Sequence, residues 1–271
     1  SLFDLPAHGN YHFIEGDVSQ MDLKSVFIGS NVVIHLAAIT DAAGSIDKAE
    51  KLEANNYQST LRVAKACIEV DACLIALSST SVYGTQKDQV DENCSEADLQ
   101  PQSPYATTKL KEEELISNLT NKEGLKAIHC RFGTIFGASP GMRFHTAVNK
   151  FCWQAVMGQP ITVWTTAYDQ KRPYLDLLDA SQAIIYIIKN NIFDGQIYNV
   201  LTHNSTVRQV VDTIKVFVPN LEIDFVDNRI MNQLSYEVLC DRFKSKGFVF
   251  SGNLRRGIEE TIDLLKNSNN K

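Results

Sequence analysis

Residues 103–115, SPYATTKLKEEEL, set a tyrosine and a lysine, Tyr105 and Lys109, four positions apart. A phenol beside an ammonium could act as a base, because a nearby cation favours the phenolate and a phenolate can take a proton from a hydroxyl. An unassisted phenol has a pKa of about 10, so roughly one in a thousand is ionised at pH 7, a handicap of about 4 kcal/mol. The element that must position the pair is a helix. Ser103 can cap its N-terminus, Pro104 suits the first helical position, and Glu112, Glu113 and Glu114 belong to a strongly helical polar run. Positions four apart lie roughly 40° apart around such a helix, so both polar heads can reach one spot. The spacing permits a catalytic pair without requiring one, and the same letters fit an ordinary amphipathic helix.

Around this helix, short β-branched runs alternate with segments of helical period. YHFIEGD reads as a strand, QMDLKSVFIG as a helix and NVVIHLAA as a fully buried strand with no polar face. A long helix follows from about Asp47 to Val70, then the strand CLIALSS, the Tyr105 helix and the strand LKAIHCRF. That rhythm predicts right-handed crossovers and an α/β fold: a doubly wound, Rossmann-like parallel sheet. After about Gly133 it loosens into a helix near FHTAVNKFCWQAVMG, strands ITVW and QIYNV, and helices around DASQAIIYIIKN, TVRQVVDTIKVFV and NLRRGIEETIDLLK. We therefore expect a dinucleotide-type domain over 1–133, with 174–200 contributing, and a smaller interwoven substrate lobe over 134–271.

Ligands of such sheets bind beyond the carboxyl ends of the strands. The polar residues there are Asp17, the HLAAIT segment, Ser78 to Ser81, and Arg131 to Gly137. A cluster of four hydroxyls is by itself an ordinary turn signal. His35, within a buried run, reads as a satisfied core histidine.

Composition narrows the classes. The 271 residues are 44% hydrophobic and 21% charged with net charge −6, enough for a large core and without a basic footprint for nucleic acid. The six cysteines, Cys67, Cys73, Cys94, Cys130, Cys152 and Cys240, have no CxxC spacing, which argues against zinc and for a reducing compartment. No apolar run approaches the roughly 18 residues of a membrane span, and no signal-peptide pattern opens the chain, so a cytoplasmic location is expected.

SSTSVYG, then SPYATTK, with HLAA upstream and NNYQST between, resembles the extended short-chain dehydrogenase/reductase family, and within it the NAD-dependent nucleotide-sugar epimerases and dehydratases, of which UDP-glucose 4-epimerase is the best known. RFGTIFG, QKRPYLDLLD and QIYNV follow in that family's order, and the likeness runs from about Asn10 to about Leu265.

The resemblance implies roles. Ser79, five residues before Gly84, matches the active-site serine or threonine, Tyr105 and Lys109 match the YxxxK pair, and Asn56 matches an asparagine that supports the lysine through a water. Asp17 and Val18 match the pair beside the adenine. Leu36, Ala37 and Ala38 match the strand end that passes the cofactor's ribose and phosphates, and Phe132 sits where an aromatic packs near the nicotinamide. On the sugar-nucleotide side, Thr80 follows the active-site serine, Thr134 stands where many relatives have asparagine, and Arg172 and Arg229 match two arginines that grip the diphosphate. Tyr236 is placed near the sugar. NAD is the expected cofactor, with NADP open; a nucleotide-diphosphate sugar is the expected substrate; and the helices holding Asn56 and Tyr105 match those that form a homodimer in relatives.

Dehydratases of the family carry acidic residues after the active-site serine or threonine, where this chain has Thr80 and Ser81. Epimerisation at the sugar 4-position is therefore expected first, then a 4-ketoreductase or dehydratase. In another class stands a catalytically silent NAD-binding scaffold or sensor. Ile39 and Thr40 stand where 4-epimerases carry a lysine near the diphosphate. No glycine-rich turn precedes Asp17, and about forty to fifty residues of family pattern, including the first strand, are missing from this sequence. The expectation is that the natural protein starts earlier or that the chain is a truncated product; were it the whole protein, the silent role would gain.

Overall fold

A computed structural model describes residues 10–40, 49–84, 88–227 and 235–269. The chain runs through α1 (Leu23–Phe27), β1 (Val32–His35), α2 (Ala49–Val70), β2 (Cys73–Ser79), β3 (Gln89–Val90), α3 (Pro104–Glu123), β4 (Ala127–Phe132) and β5 (Thr134–Phe136). It continues through α4 (Ala147–Val156), β6 (Ile161–Trp164), β7 (Lys171–Asp176), α5 (Leu177–Lys189), β8 (Ile197–Val200) and β9 (His203–Thr206). The last elements are α6 (Val207–Phe217), β10 (Ile223–Val226), β11 (Glu237–Val238), α7 (Asp241–Ser245) and α8 (Leu254–Asn269).

The main sheet has the order β1-β2-β4-β8 and every pairing is parallel. Its central strand β4 is buried at all positions, as the apolar run AIHCRF requires when helices cover both faces. The alternation along β2 assigns those faces. Leu74 and Ala76 pack with Val63 and Cys67 of α2 and Ile116 and Leu119 of α3. Ile75 packs the other way, with Ala183 and Ile187 of α5 and Tyr198 of β8. This is the doubly wound arrangement read from the sequence.

Two sequence expectations change at the sheet's edge. Residues 11–16 form no strand, because a strand needs a ladder partner and β1 pairs only with β2 among the described residues. For the same reason β1 is not fully buried: Ile34 is 39% exposed and Leu36 just beyond it 61%. α1 is also shorter than the helical pattern suggests, five residues capped by Asp22.

The second core joins α4, α6 and α8 around Val148, Val210, Val211 and Ile258, with Phe136 and Tyr174 closing it toward the first. Strands β5, β7 and β9 form a three-stranded sheet and β6 pairs with β10. The lobes share a seam of Val82, Tyr83, Val90, Leu201 and Val238. Among the described residues no helix is long and apolar enough to cross a membrane, and no group of three or more His, Cys, Asp or Glu side chains could hold a metal ion.

Candidate active site

β2 ends in hydroxyls. Ser79 and a 3₁₀ turn, Thr80–Val82, project from the sheet's carboxyl edge, and Ser79 Oγ accepts from the Ser81 amide at 3.2 Å and the Ser81 hydroxyl at 2.9 Å. Thr80 is buried and donates to the Phe132 carbonyl at 3.3 Å, tying the turn to β4, where Ser79 and Phe132 are register partners. Ser78 Oγ is buried without a hydrogen-bond partner.

The chain next makes the close approach that returns it to this turn. A Cβ at Gly84 would lie 1.9 Å from the Gln100 carbonyl oxygen, so only glycine lets Tyr83–Gly84 pack on the Asp98–Gln100 segment that leads into α3. Ser103 then caps α3 by accepting from Ala106 N at 3.2 Å, with Pro104 following, and the hydroxyl turn packs against the helix. The structure thus brings Ser79, Thr80, Phe132, Tyr105 and Lys109 to one end of the sheet.

Lys109 Nζ lies 5.8 Å from the centre of the Tyr105 ring. Its charge, however, is matched within the helix: it donates to Glu112 Oε2 at 2.8 Å, with both side chains 6% exposed. Burial, and secondly the Glu112 charge, push the Tyr105 phenol up to about 12. The depression expected beside a lysine cation and a positive nicotinamide ring is thus not produced by Lys109 alone. In the protein as described, Lys109 is neutralised by a carboxylate one turn on. His35, at the end of β1, bonds Thr60 Oγ1 at 3.1 Å and is held down to about 4 by burial and then by the Lys109 charge, so the ammonium acts on the end of β1 as well.

Asn56 is buried on α2. Its carboxamide clasps the strand-end loop, accepting from Ile39 N at 2.8 Å and donating to Ile39 O at 3.0 Å. This fixes the segment in which Leu36 and Ala37 are exposed and Ala38 half-buried. Asp17 and Val18 lie in a turn across α2: Asp17 accepts from the Ser19 amide and hydroxyl, which hold its carboxyl below the usual range, and Arg62 donates to the Val18 carbonyl at 3.3 Å. These residues fit a dinucleotide. The two alanines leave the strand end open to close approach, Ser78 offers an unpaired buried hydroxyl, and Lys109 carries three donors, one of them turned to the Glu112 carboxylate.

On the second lobe, Thr134 opens β5 and faces Tyr174 in register. Arg172 of β7 folds back along its own chain, donating to the Lys171 carbonyl at 2.8 Å and Gln170 Oε1 at 2.6 Å, within electrostatic reach of Tyr236. Tyr236 donates to the Tyr83 carbonyl at 2.9 Å and meets the Tyr83 ring edge-on, which links this region to the hydroxyl turn. A cleft of about 650 Å³ opens beside it, lined by Asp88, Gln89, Lys171, Ser235, Tyr236 and Glu237. Arg229 lies outside the described residues.

Two residues escaped the sequence reading. Glu112 was absorbed into a polar run, although its i, i+3 spacing from Lys109 was the available signal. Arg143 carried no local signal; it donates to Thr40 Oγ1 at 2.8 Å across 103 positions, bringing a guanidinium to the strand end where Thr40 stands in place of a lysine.

Comparison with known proteins places this geometry in context. The model of the NAD dependent epimerase/dehydratase family matches residues 2–200. The chain is 28% identical over 266 residues to a trifunctional UDP-glucose 4,6-dehydratase/UDP-4-keto-6-deoxy-D-glucose 3,5-epimerase/UDP-4-keto-L-rhamnose-reductase of Arabidopsis thaliana, covering 94% of this chain and 39% of that protein. It is 29% identical over 204 residues to the uncharacterized UDP-glucose epimerase YtcB of Bacillus subtilis, covering 74% of this chain and 62% of that one. The chain therefore spans about two fifths to three fifths of these relatives' lengths. A solved UDP-glucuronic acid 4-epimerase from Bacillus cereus, in complex with UDP-glucuronic acid and NAD, superposes with a TM-score of 0.86 at 22% identity, over 98% of this chain and 85% of that one, a likeness of fold.

Proposed function

The chain belongs to the NAD dependent epimerase/dehydratase family, and from that membership we propose that it serves as a nucleotide-sugar epimerase, inverting the sugar's fourth carbon through a 4-keto intermediate. The observation that carries this reading is the composition of the β2 end: Ser79 stands beside the Tyr105 helix, and the two positions after it are Thr80 and Ser81 rather than carboxylic acids. Elimination across neighbouring carbons needs its own acid and base, whereas epimerisation at one carbon needs a single base, a positioned hydroxyl and a reversible hydride acceptor.

Bound NAD would supply the hydride chemistry. Tyr105 would take the sugar hydroxyl proton and return it after the keto sugar has presented its other face. Ser79 Oγ, now accepting from Ser81, would turn its own proton toward the substrate oxygen and hold that oxygen near the phenol. Lys109 would hold the nicotinamide ribose beside the phenol. Arg172, with Arg229, would fork onto the diphosphate, and Thr134 and Tyr236 would shape the sugar side.

The six free thiols are consistent with the reducing cytoplasm. α2 and α3, packed side by side with Lys111 paired to Glu53 at 2.6 Å, would form the helix pair of a homodimer, checked by sedimentation at micromolar concentration. The activity is tested by incubating the protein with NAD and a panel of UDP-hexoses. The expected result is interconversion of isomers without net cofactor consumption. No turnover across the panel, or steady production of a 4-keto-6-deoxy sugar, would overturn the reading.

A further inference from the structure

The conspicuous unexplained group is Glu112. It is 5% exposed, gives one oxygen to Lys109, and leaves Oε1 buried with no hydrogen-bond partner. A half-satisfied buried carboxylate is costly, and an acid beside a cation meant to activate a phenol opposes that activation. We propose that Glu112 is a positioning residue that sets the pH at which Tyr105 can serve as a base, by making the Lys109 ammonium its own counterion. The inference deepens the epimerase reading and rests on it for the role of Tyr105.

The argument is a count of buried charge. With Glu112 ionised and Lys109 protonated, the trio is neutral while Tyr105 keeps its proton; ionising the phenol leaves one uncompensated negative charge in a desolvated site. Without the Glu112 charge, the count reverses: the trio is positive with a neutral phenol, and the phenolate becomes the counterion of Lys109. The position of the phenol, 5.8 Å from ring centre to Nζ, and its upward displacement by burial and then Glu112 agree with that count.

Among the described residues the titratable groups on the packed elements are neutral or matched elsewhere, and Arg143, at the strand end, is spent on Thr40 Oγ1. From β1, His35 is held down to about 4 and is neutral at working pH. Within α3, Glu113 is bound by both ends of the Arg131 guanidinium from β4, and Lys111 is paired with Glu53 of α2. Thr60 and Asn56 of α2 are uncharged. Bringing a positive nicotinamide ring beside the phenol would restore the balance that Glu112 withholds, so the same residue would make the base responsive to the oxidised cofactor.

The test follows phenolate absorbance through an alkaline titration of the cofactor-free protein, with Tyr105→Phe subtracted to isolate the one ring. Glu112→Gln is expected to lower the Tyr105 ionisation midpoint by about one to two pH units, a ten- to hundredfold change in its ionisation constant, while Glu112→Asp, which keeps the charge, titrates with the wild type. In the active protein the acid limb of the kcat/KM profile should move in the same direction. Glu112→Ala is the second variant, should the amide prevent folding. A midpoint unchanged in Gln and Ala variants with native circular dichroism would overturn the proposal, as would an upward shift. Turnover surviving Tyr105→Phe would instead overturn the functional reading, leaving the titration to decide the role of Glu112.

Discussion

Two neighbouring glutamates on α3 face two different arginine-or-lysine partners. Glu113 meets Arg131 through two parallel bonds, at 2.9 and 2.6 Å, and Arg131 also donates to Tyr83 Oη at 2.9 Å. Tyr83 Oη in turn donates to Asn199, whose amide donates to the Leu239 carbonyl at 2.9 Å. Every partner in that chain is occupied, and it ties β4, α3, β8 and the turn after β2 into one unit. Glu112 meets Lys109 through one bond and leaves an oxygen over. Identical chemistry one residue apart thus serves two ends: a closed network fixes the frame, and an open pair leaves capacity at the carboxyl edge of the sheet, where ligands of this fold bind.

Breaking the closed pair should cost stability first. Arg131→Met leaves Glu113 buried and uncompensated, and an urea titration is expected to show a loss of about 3–5 kcal/mol; adding Glu113→Leu should recover most of it. Full stability in Arg131→Met would erase the distinction between the two pairs. The open side should cost function. Tyr105→Phe is expected to lower turnover by about 10²–10⁴-fold with the thermal midpoint nearly unchanged, measured by isomer analysis beside a melting curve.

A pH series sharpens the same contrast through histidines on both sides of it. His35, beside Lys109, and His129, buried beside Arg131 on β4, are each held down to about 4, chiefly by burial. Their folded values lie below the unfolded one, so their contribution is whole above about pH 6.5 and is lost as pH falls toward 4. Between them the loss by pH 5 is on the order of 2–4 kcal/mol, read from urea midpoints at pH 7.5 and 5. His129→Asn should flatten that slope by about half, because it removes one of the two buried imidazoles. The smallest effect belongs to an exposed pair that serves neither end. Lys65 meets Glu123 at 2.6 Å with side chains 45% and 40% exposed, and Lys65→Met should change stability by no more than about 1 kcal/mol.

Much of this was legible beforehand where local rules act alone. Strands β2 and β4 were readable because buried parallel strands are nearly unbroken apolar runs, and α3 because Ser103, Pro104 and Gly124, at φ 73°, punctuate it. Residues 11–16 misled because the same alternating letters make a strand only beside a pairing neighbour, and among the described residues none lies there. The hydroxyl turn and the Tyr105 helix could be matched by motif, but the contact between them depends on Gly84 passing the Gln100 carbonyl.

By itself the sequence determined element type and the list of chemically able side chains, since capping, periodicity and motif spacing are properties of neighbours along the chain. Only the tertiary structure decided which charge answers which. Lys109 sits three residues from Glu112 and four from Tyr105, and the sequence treats those spacings alike. Burial at the meeting of β1, α2 and α3 removes the water that would have screened both, and in that low-dielectric space the bonded carboxylate takes the ammonium.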